Sequence, residues 1–166
     1  MSAKFDIQGP LPTEVTVLEA SAGTGKTFAI TALVTRYVVE AGHNIEDVLM
    51  VTFAKGAAAE MRERLRARLR DAVRALESDH APDDEWLIPI YRGDAAVRAE
   101  RLARAKTAVA NLDRATVTTI HGFCHQALRR LGTRAGDSSL ASEVNAGNPL
   151  LVAQMLRDEL IGLLAG

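Results

Sequence analysis

One short segment constrains this chain more than any other: Glu19-Ala20-Ser21-Ala22-Gly23-Thr24-Gly25-Lys26-Thr27. Before it stands a β-branched run, Val15, Val17 and Leu18, which reads as a strand. After it Phe28, Ile30, Leu33, Val34, Tyr37 and Val38 follow helical spacing until Gly42, a C-terminal cap. Ala20 to Thr27 satisfies the Walker A pattern, with Ala20 in place of the first glycine. The residue types suit phosphate. Small side chains let backbone N–H groups close around phosphate oxygens, and the following helix N-terminus adds its dipole. Lys26 would place a point charge at the β- and γ-phosphates, and Thr27 would offer its hydroxyl to Mg²⁺. Ala20, Ser21, Ala22, Gly23, Thr24, Gly25, Lys26 and Thr27 are therefore the expected ATP-binding residues. Lys26 and Thr27 carry the chemistry among them, and Thr27 is the expected metal ligand.

The rest of the chain repeats the alternation of strand, loop and helix. Val48-Leu49-Met50-Val51 reads as a buried parallel strand, followed by a long helix striped by Met61, Leu65, Leu69, Val73 and Leu76. Between Ser78 and Gly93 the pattern breaks around Pro82 and Asp83-Asp84-Glu85. A second helix is expected from Asp94 to Leu112, a third strand over 115–120, and a helix from Phe123 to Leu131. Residues 132–149 read as a loop, and Leu150 to Leu164 as a closing amphipathic helix. Such alternation predicts an α/β fold, a parallel sheet with covering helices. Three strands make a thin sheet for that class, so the chain reads as the beginning of something longer.

Two strand exits carry further chemistry, because ligands collect at strand ends in open α/β sheets. Phe53 and Lys55 follow the second strand and suit a single nucleic-acid strand, the ring stacking on a base and the ammonium pairing with phosphate. The competing reading puts Phe53 in the core. The third strand leads into Thr118-Thr119-Ile120-His121-Gly122-Phe123-Cys124-His125, where Gly122 would permit an unusual backbone angle. Taken alone, His121 also fits a hydrogen-bonded structural histidine.

Composition sets the outer limits. With 166 residues, 48% of them hydrophobic and 25% charged, the chain suits one soluble domain, or one domain and part of another. A net charge of −1 excludes a simple polycation, so any nucleic-acid surface must come from local clusters. One such cluster exists: Lys55 to Arg74 holds seven basic and three acidic residues. Its arginines are spread around the helix, which favours a solvated face with i,i+4 pairs such as Glu60–Arg64. A single cysteine, Cys124, excludes an internal disulfide and a cysteine-built zinc site. No apolar stretch approaches the roughly 18 residues of a spanning helix, and no leader pattern opens the chain. A cytoplasmic protein without membrane contact is expected.

Together, the three segments resemble the UvrD/RecB-like superfamily 1 DNA helicases. Ser21 to Thr27 is similar to their motif I, Val51 to Arg64 to motif Ia, and Thr119 to Cys124 to the following single-strand-binding motif. Order, spacing and strand placement match over about residues 5 to 131. Within the superfamily the likeness is greatest to the helicase–nuclease subunits of bacterial recombination complexes. The resemblance implies a RecA-like P-loop motor domain, incomplete, over residues 1–131, with residues 132–166 beginning a helical insertion. It implies ATP with Mg²⁺ and 3′→5′ unwinding in recombinational repair of DNA breaks. Single-stranded DNA or duplex ends would be bound, and partner subunits would complete a helicase–nuclease complex. Thr52, Phe53, Lys55, His121 and Phe123 would lie on or beside the DNA path. The family also reads adenine with a glutamine upstream of the loop; Gln8 is the sole candidate, but its spacing does not clearly match, and no role is assigned to it.

One departure weighs against activity of this chain alone. The family's next motif is an apolar strand ending in Asp-Glu, which holds Mg²⁺ and positions the attacking water. Glu46-Asp47, Asp83-Asp84-Glu85 and Asp158-Glu159 are the acidic groups here, and none follows such a run. The chain is therefore expected to be the N-terminal piece of a helicase, inactive by itself. A small P-loop nucleoside or nucleotide kinase and a non-hydrolysing nucleotide- or DNA-binding module remain the alternatives.

Overall fold

A computed structural model describes residues 5–19, 23 and 25–135. The chain packs as two compact units. The first comprises residues up to Met50 with Gly56–Val117; the second comprises Val51–Lys55 with the residues from Thr118 onward.

In the first unit, Gly25 at φ +86° releases the chain into helix α1, Lys26–Val39. Threonine and valine are weak helix formers, so burial, and not propensity, secures α1. Its inward face is Thr31, Ala32, Thr35, Arg36, Val38 and Val39. Each buried threonine hydroxyl donates to a carbonyl one turn back, Thr31 to Thr27 O at 2.8 Å and Thr35 to Thr31 O at 2.8 Å. The polar atoms are thereby satisfied without water. The helix stops at Glu40, just before Gly42 at φ +83°.

Strand β1 is Leu49–Thr52, and helix α2 follows over Lys55–Glu77. Rich in Ala, Leu, Arg and Glu, α2 has high intrinsic propensity. Its buried positions, Ala58, Leu65, Leu69, Ala72, Ala75 and Leu76, recur at helical spacing, with Met61 and Val73 packed partly beside them. Leu65 and Leu69 are wholly buried, each worth about 1.5–3 kcal/mol of transfer free energy.

The segment after α2 breaks regular structure as expected, yet it supplies core. A 3₁₀ turn at Glu85–Leu87 and a single helical turn α3, Ile88–Tyr91, bury Trp86, Leu87 and Ile90. Helix α4, Ala95–Ala110, is capped by Asp94, whose carboxylate accepts from Val97 N at 2.9 Å. It packs against α1 and α3. Strand β2, Thr116–Thr119, pairs with β1 in a short parallel sheet, and helix α5 runs over Ile120–Ala135.

Three expectations are corrected. Val15, Val17 and Leu18 form no strand: Val15 is fully exposed and Val17 is 80% exposed. A strand needs a neighbour for its N–H and C=O groups, and among the described residues β1 and β2 pair only with each other. Helix α5 starts at Ile120, not Phe123, so Gly122 is helical and has no positive φ. The same helix runs through Gly132 to Ala135, because one glycine, at about 1 kcal/mol, is too small a penalty to end it. The amphipathic helix expected at Leu150–Leu164 and most of the expected insertion lie outside the described residues.

Candidate functional site

In the first unit the phosphate loop ends on two left-handed glycines, Gly23 at φ +78° and Gly25 at φ +86°. A side chain at either would be strained, so the glycines set the turn that aims the chain into α1. Ala20, Ser21, Ala22 and Thr24 lie outside the described residues. Lys26 and Thr27 are the first two residues of α1, Lys26 exposed and Thr27 half-buried. Ala29 N donates to Gly25 O at 2.9 Å, closing the first turn behind them. The earlier N–H groups of α1 have no helical partner, and an anion at this helix start would find both donors and the positive end of the dipole.

Beside this helix start lies a cavity of about 570 Å³, bordered by Gly25, Phe5, Ile7, Phe28 and the carboxyl-bearing Asp6 and Glu85. That volume falls in the usual small-ligand range of about 300–1,000 Å³. Its upstream wall is tied down by Arg36, which is 1% exposed. One guanidinium nitrogen donates to Ile7 O at 2.8 Å and Gly9 O at 2.9 Å. The others pair with Glu40 at 2.7 and 3.2 Å. The Tyr37 hydroxyl adds a hydrogen bond to Pro12 O. Gln8 sits in the segment so held, its own N–H donating to Asp6 Oδ1 at 2.9 Å. The donor set fits a nucleotide: amides and an ammonium for phosphates, a hydroxyl oxygen for a hard cation, and apolar walls for a base.

The second unit contains all five residues expected near nucleic acid. Thr52 ends β1 and is half-buried; Phe53, just beyond, is 88% exposed; Lys55 opens α2 and is exposed. That exposure overturns the core reading of Phe53. His121 is exposed and Phe123 half-buried, both in the first turn of α5. Because the strands are parallel, both exits leave the same end of the sheet. Thr119 is at once the last residue of β2 and the cap of α5, its hydroxyl accepting from Gly122 N at 3.1 Å. Gly122 is small for steric reasons, since a Cβ there would sit 2.4 Å from Thr118 Oγ1.

On α2 the charges are largely paired along the helix, as the solvated-face reading expects. Arg64 meets Glu60 at 2.5 Å, Arg66 meets Glu63 at 2.9 Å, and Arg74 pairs with Asp71. Two arginines behave differently. Arg62 is half-buried and donates to Val117 O at 3.2 Å. Arg68 lies over the Phe28 ring, 4.4 Å from its centroid, and 5.1 Å from that of Trp86. Asp83 and Asp84 are exposed, whereas Glu85 borders the cavity.

Residues 6–160 match the family described as the UvrD/REP helicase N-terminal domain. The chain belongs to that family. It is 43% identical over 157 residues to the RecBCD enzyme subunit RecB of Mycobacterium tuberculosis, covering 93% of this chain and 14% of the relative. Identity to the RecB subunit of Mycolicibacterium smegmatis is 40%, covering 93% of this chain and 14% of the relative. For Escherichia coli RecB the identity is 38%, covering 76% of this chain and 11% of the relative. The chain thus spans about a seventh of the length of the first two relatives.

The cavity walls were not foreseen. Phe28 reads as one more member of a helix stripe, Arg68 as part of a solvated charged face, and Glu85 as part of an acidic loop, while Arg36 draws no reading from the sequence. Only the coincidence of Glu85 with an apolar neighbour, Trp86, hints that this loop folds back onto the core.

Proposed function

We propose that the chain is the N-terminal ATP-binding part of an ATP-dependent 3′→5′ DNA helicase of the RecB kind, serving recombinational repair in the cytoplasm. The observation that carries this reading is the placement of Lys26 and Thr27 at the start of α1, directly after the left-handed Gly25 and beside the cavity. ATP would sit with its phosphates on the loop residues Ala20 to Thr27. Lys26 would neutralise the β- and γ-phosphates, and Thr27 would be one ligand of Mg²⁺, the remaining ligands being phosphate oxygens and water. Residues 1–131 would form part of the motor domain and residues 132–166 would begin the helical insertion. Among the described residues no helix is long and apolar enough to cross a membrane.

Single-stranded DNA, or the strand released at a duplex end, would pass Thr52, Phe53, Lys55, His121 and Phe123. Exposed aromatic and cationic groups at strand exits support this path. Further subunits would complete the helicase–nuclease assembly. Titration calorimetry with Mg-ATP tests the reading. Lys26→Ala should lower affinity at least tenfold and leave the thermal midpoint unchanged, because this exposed side chain serves phosphate and not the core. Equal affinity for wild type and variant would refute it.

A further inference from the structure

The arginine-rich helix α2 looks, by sequence, like a solvated surface, and most of its charges are paired along it. Arg68 is the exception with a direction. Its guanidinium lies 4.4 Å from the centroid of the Phe28 ring and 5.1 Å from that of Trp86. Asp71 holds it from the side at 3.5 Å. Trp86 is 2% exposed, so this platform is part of the core and does not move with solvent. Phe28 is 37% exposed, two residues beyond Lys26, and borders the cavity that begins at Gly25. A ring with a guanidinium over it is fixed in orientation, because rotation about χ1 would forfeit the cation–π contact.

We infer that Arg68 is a positioning residue for the nucleotide base: it braces Phe28 as the stacking wall of the cavity beside the phosphate loop. The inference rests on the proposed nucleotide site and names what that site does with the part of the ligand that is not phosphate. The described residues that border the cavity, Phe5, Asp6, Ile7, Gly25, Phe28, Ala29 and Glu85, are apolar, small or carboxyl-bearing. Such walls suit a flat, neutral heterocycle carrying N–H and O–H donors, which describes a nucleoside and not another phosphate. Arg68 itself is spent on the rings and on Asp71. Its role is therefore indirect: it preorganises a side chain that would otherwise sample other rotamers and pay an ordering cost on binding.

The test compares Mg-ATP with magnesium tripolyphosphate, which carries the phosphates without base or ribose, by calorimetry on the whole chain. Phe28→Ala should weaken ATP about tenfold and leave tripolyphosphate within about twofold. Arg68→Met should weaken ATP about threefold to tenfold with the same indifference to tripolyphosphate, and Arg68→Lys should recover part of the loss. In the Phe28→Ala background, Arg68→Met should add nothing, since the brace has no ring to hold. Emission of Trp86, the sole tryptophan, reports that each variant is folded. Parallel losses for both ligands, or additive losses in the double variant, would overturn the inference by showing that Arg68 supports the loop or the fold at large. If Lys26→Ala leaves affinity for both ligands unchanged, the phosphate site itself fails and the base wall falls with it.

Discussion

Phe53 and Phe123 carry the same side chain in two different physical situations. Phe53 is 88% exposed beyond the end of β1, so its ring makes little contribution to the folded state. Phe123 is half-buried in the first turn of α5, where truncation removes packing as well as any ligand contact. Phe53→Ala should therefore leave the thermal midpoint unchanged and reduce affinity for a single-stranded oligonucleotide about tenfold, given stacking of about 1–3 kcal/mol per base. Phe123→Ala should lower both. Fluorescence anisotropy at two salt concentrations, with a melt of each variant, separates these outcomes; unchanged binding by Phe53→Ala would remove that ring from the DNA path. The phosphate-loop pattern, on which the proposed ATP site rests, was legible in the sequence because it is local: small residues, then Lys26 and Thr27, in nine consecutive positions. The Arg68–Phe28 contact was not, since nothing in either helix's own pattern says which partner lies across from it. Gly122 was legible as special but for another reason than expected. Its constraint is the Thr118 hydroxyl 2.4 Å from where a Cβ would be, and not a left-handed backbone.

Among the elements, α1 does more than carry Lys26 and Thr27 at its start. Through Arg36 it holds the irregular segment that supplies the opposite wall, by bonds to Ile7 O and Gly9 O at 2.8 and 2.9 Å. Arg36→Met keeps the apolar stem but strands two carbonyls and the Glu40 carboxylate. Because Glu40 keeps partial solvent access, the cost should be about 2–3 kcal/mol, below that of a fully buried pair. Urea denaturation should show the lowered midpoint at unchanged slope, and limited proteolysis should cut first in the freed N-terminal segment. ATP affinity should fall with it, since Asp6 and Ile7 border the cavity. A variant as stable and as protease-resistant as wild type would show that the segment is held by something else. Helices α1, α2 and α4 were legible from periodicity and caps, their boundaries shifting by only a few residues. The strand expected at Val15–Leu18 was not realised, because β-branched residues favour extended backbone without providing the hydrogen-bonding neighbour that makes it a strand. Trp86, Leu87 and Ile90 show the converse case: a short irregular segment with no period at all contributes core.

At the scale of the whole molecule, what matters is which groups can surround one γ-phosphate at the same time. P-loop hydrolysis depends on positioning and electrostatic stabilisation more than on covalent help from the protein. The loop, a metal-holding acid, a water-positioning group and an arginine finger must therefore act together. Within this chain the loop and α1 supply Lys26 and Thr27. Among the described residues of the acidic groups, Glu85 is the one that reaches the cavity, and it arrives on a 3₁₀ turn and not at the end of an apolar strand. The arginines nearest the cavity are committed elsewhere, Arg36 to carbonyls and Glu40, Arg68 to Phe28, Trp86 and Asp71. A finger alone is worth about 10³–10⁵ in rate in well-studied cases. The chain spans 14% of its mycobacterial relatives' length, and binding without turnover is the behaviour its own residues support. It should bind Mg-ATP, hydrolyse it no faster than about 10⁻³ s⁻¹, and leave duplex DNA unopened. A steady-state assay with and without single-stranded DNA, with Lys26→Ala as the contamination control, decides the matter. DNA-stimulated turnover near 1 s⁻¹ that disappears in Lys26→Ala would mean that a catalytic acid is present after all. Glu85→Gln would then be the first variant to make, ahead of Asp83 and Asp84, because its carboxyl alone of the three borders the cavity beside the start of α1.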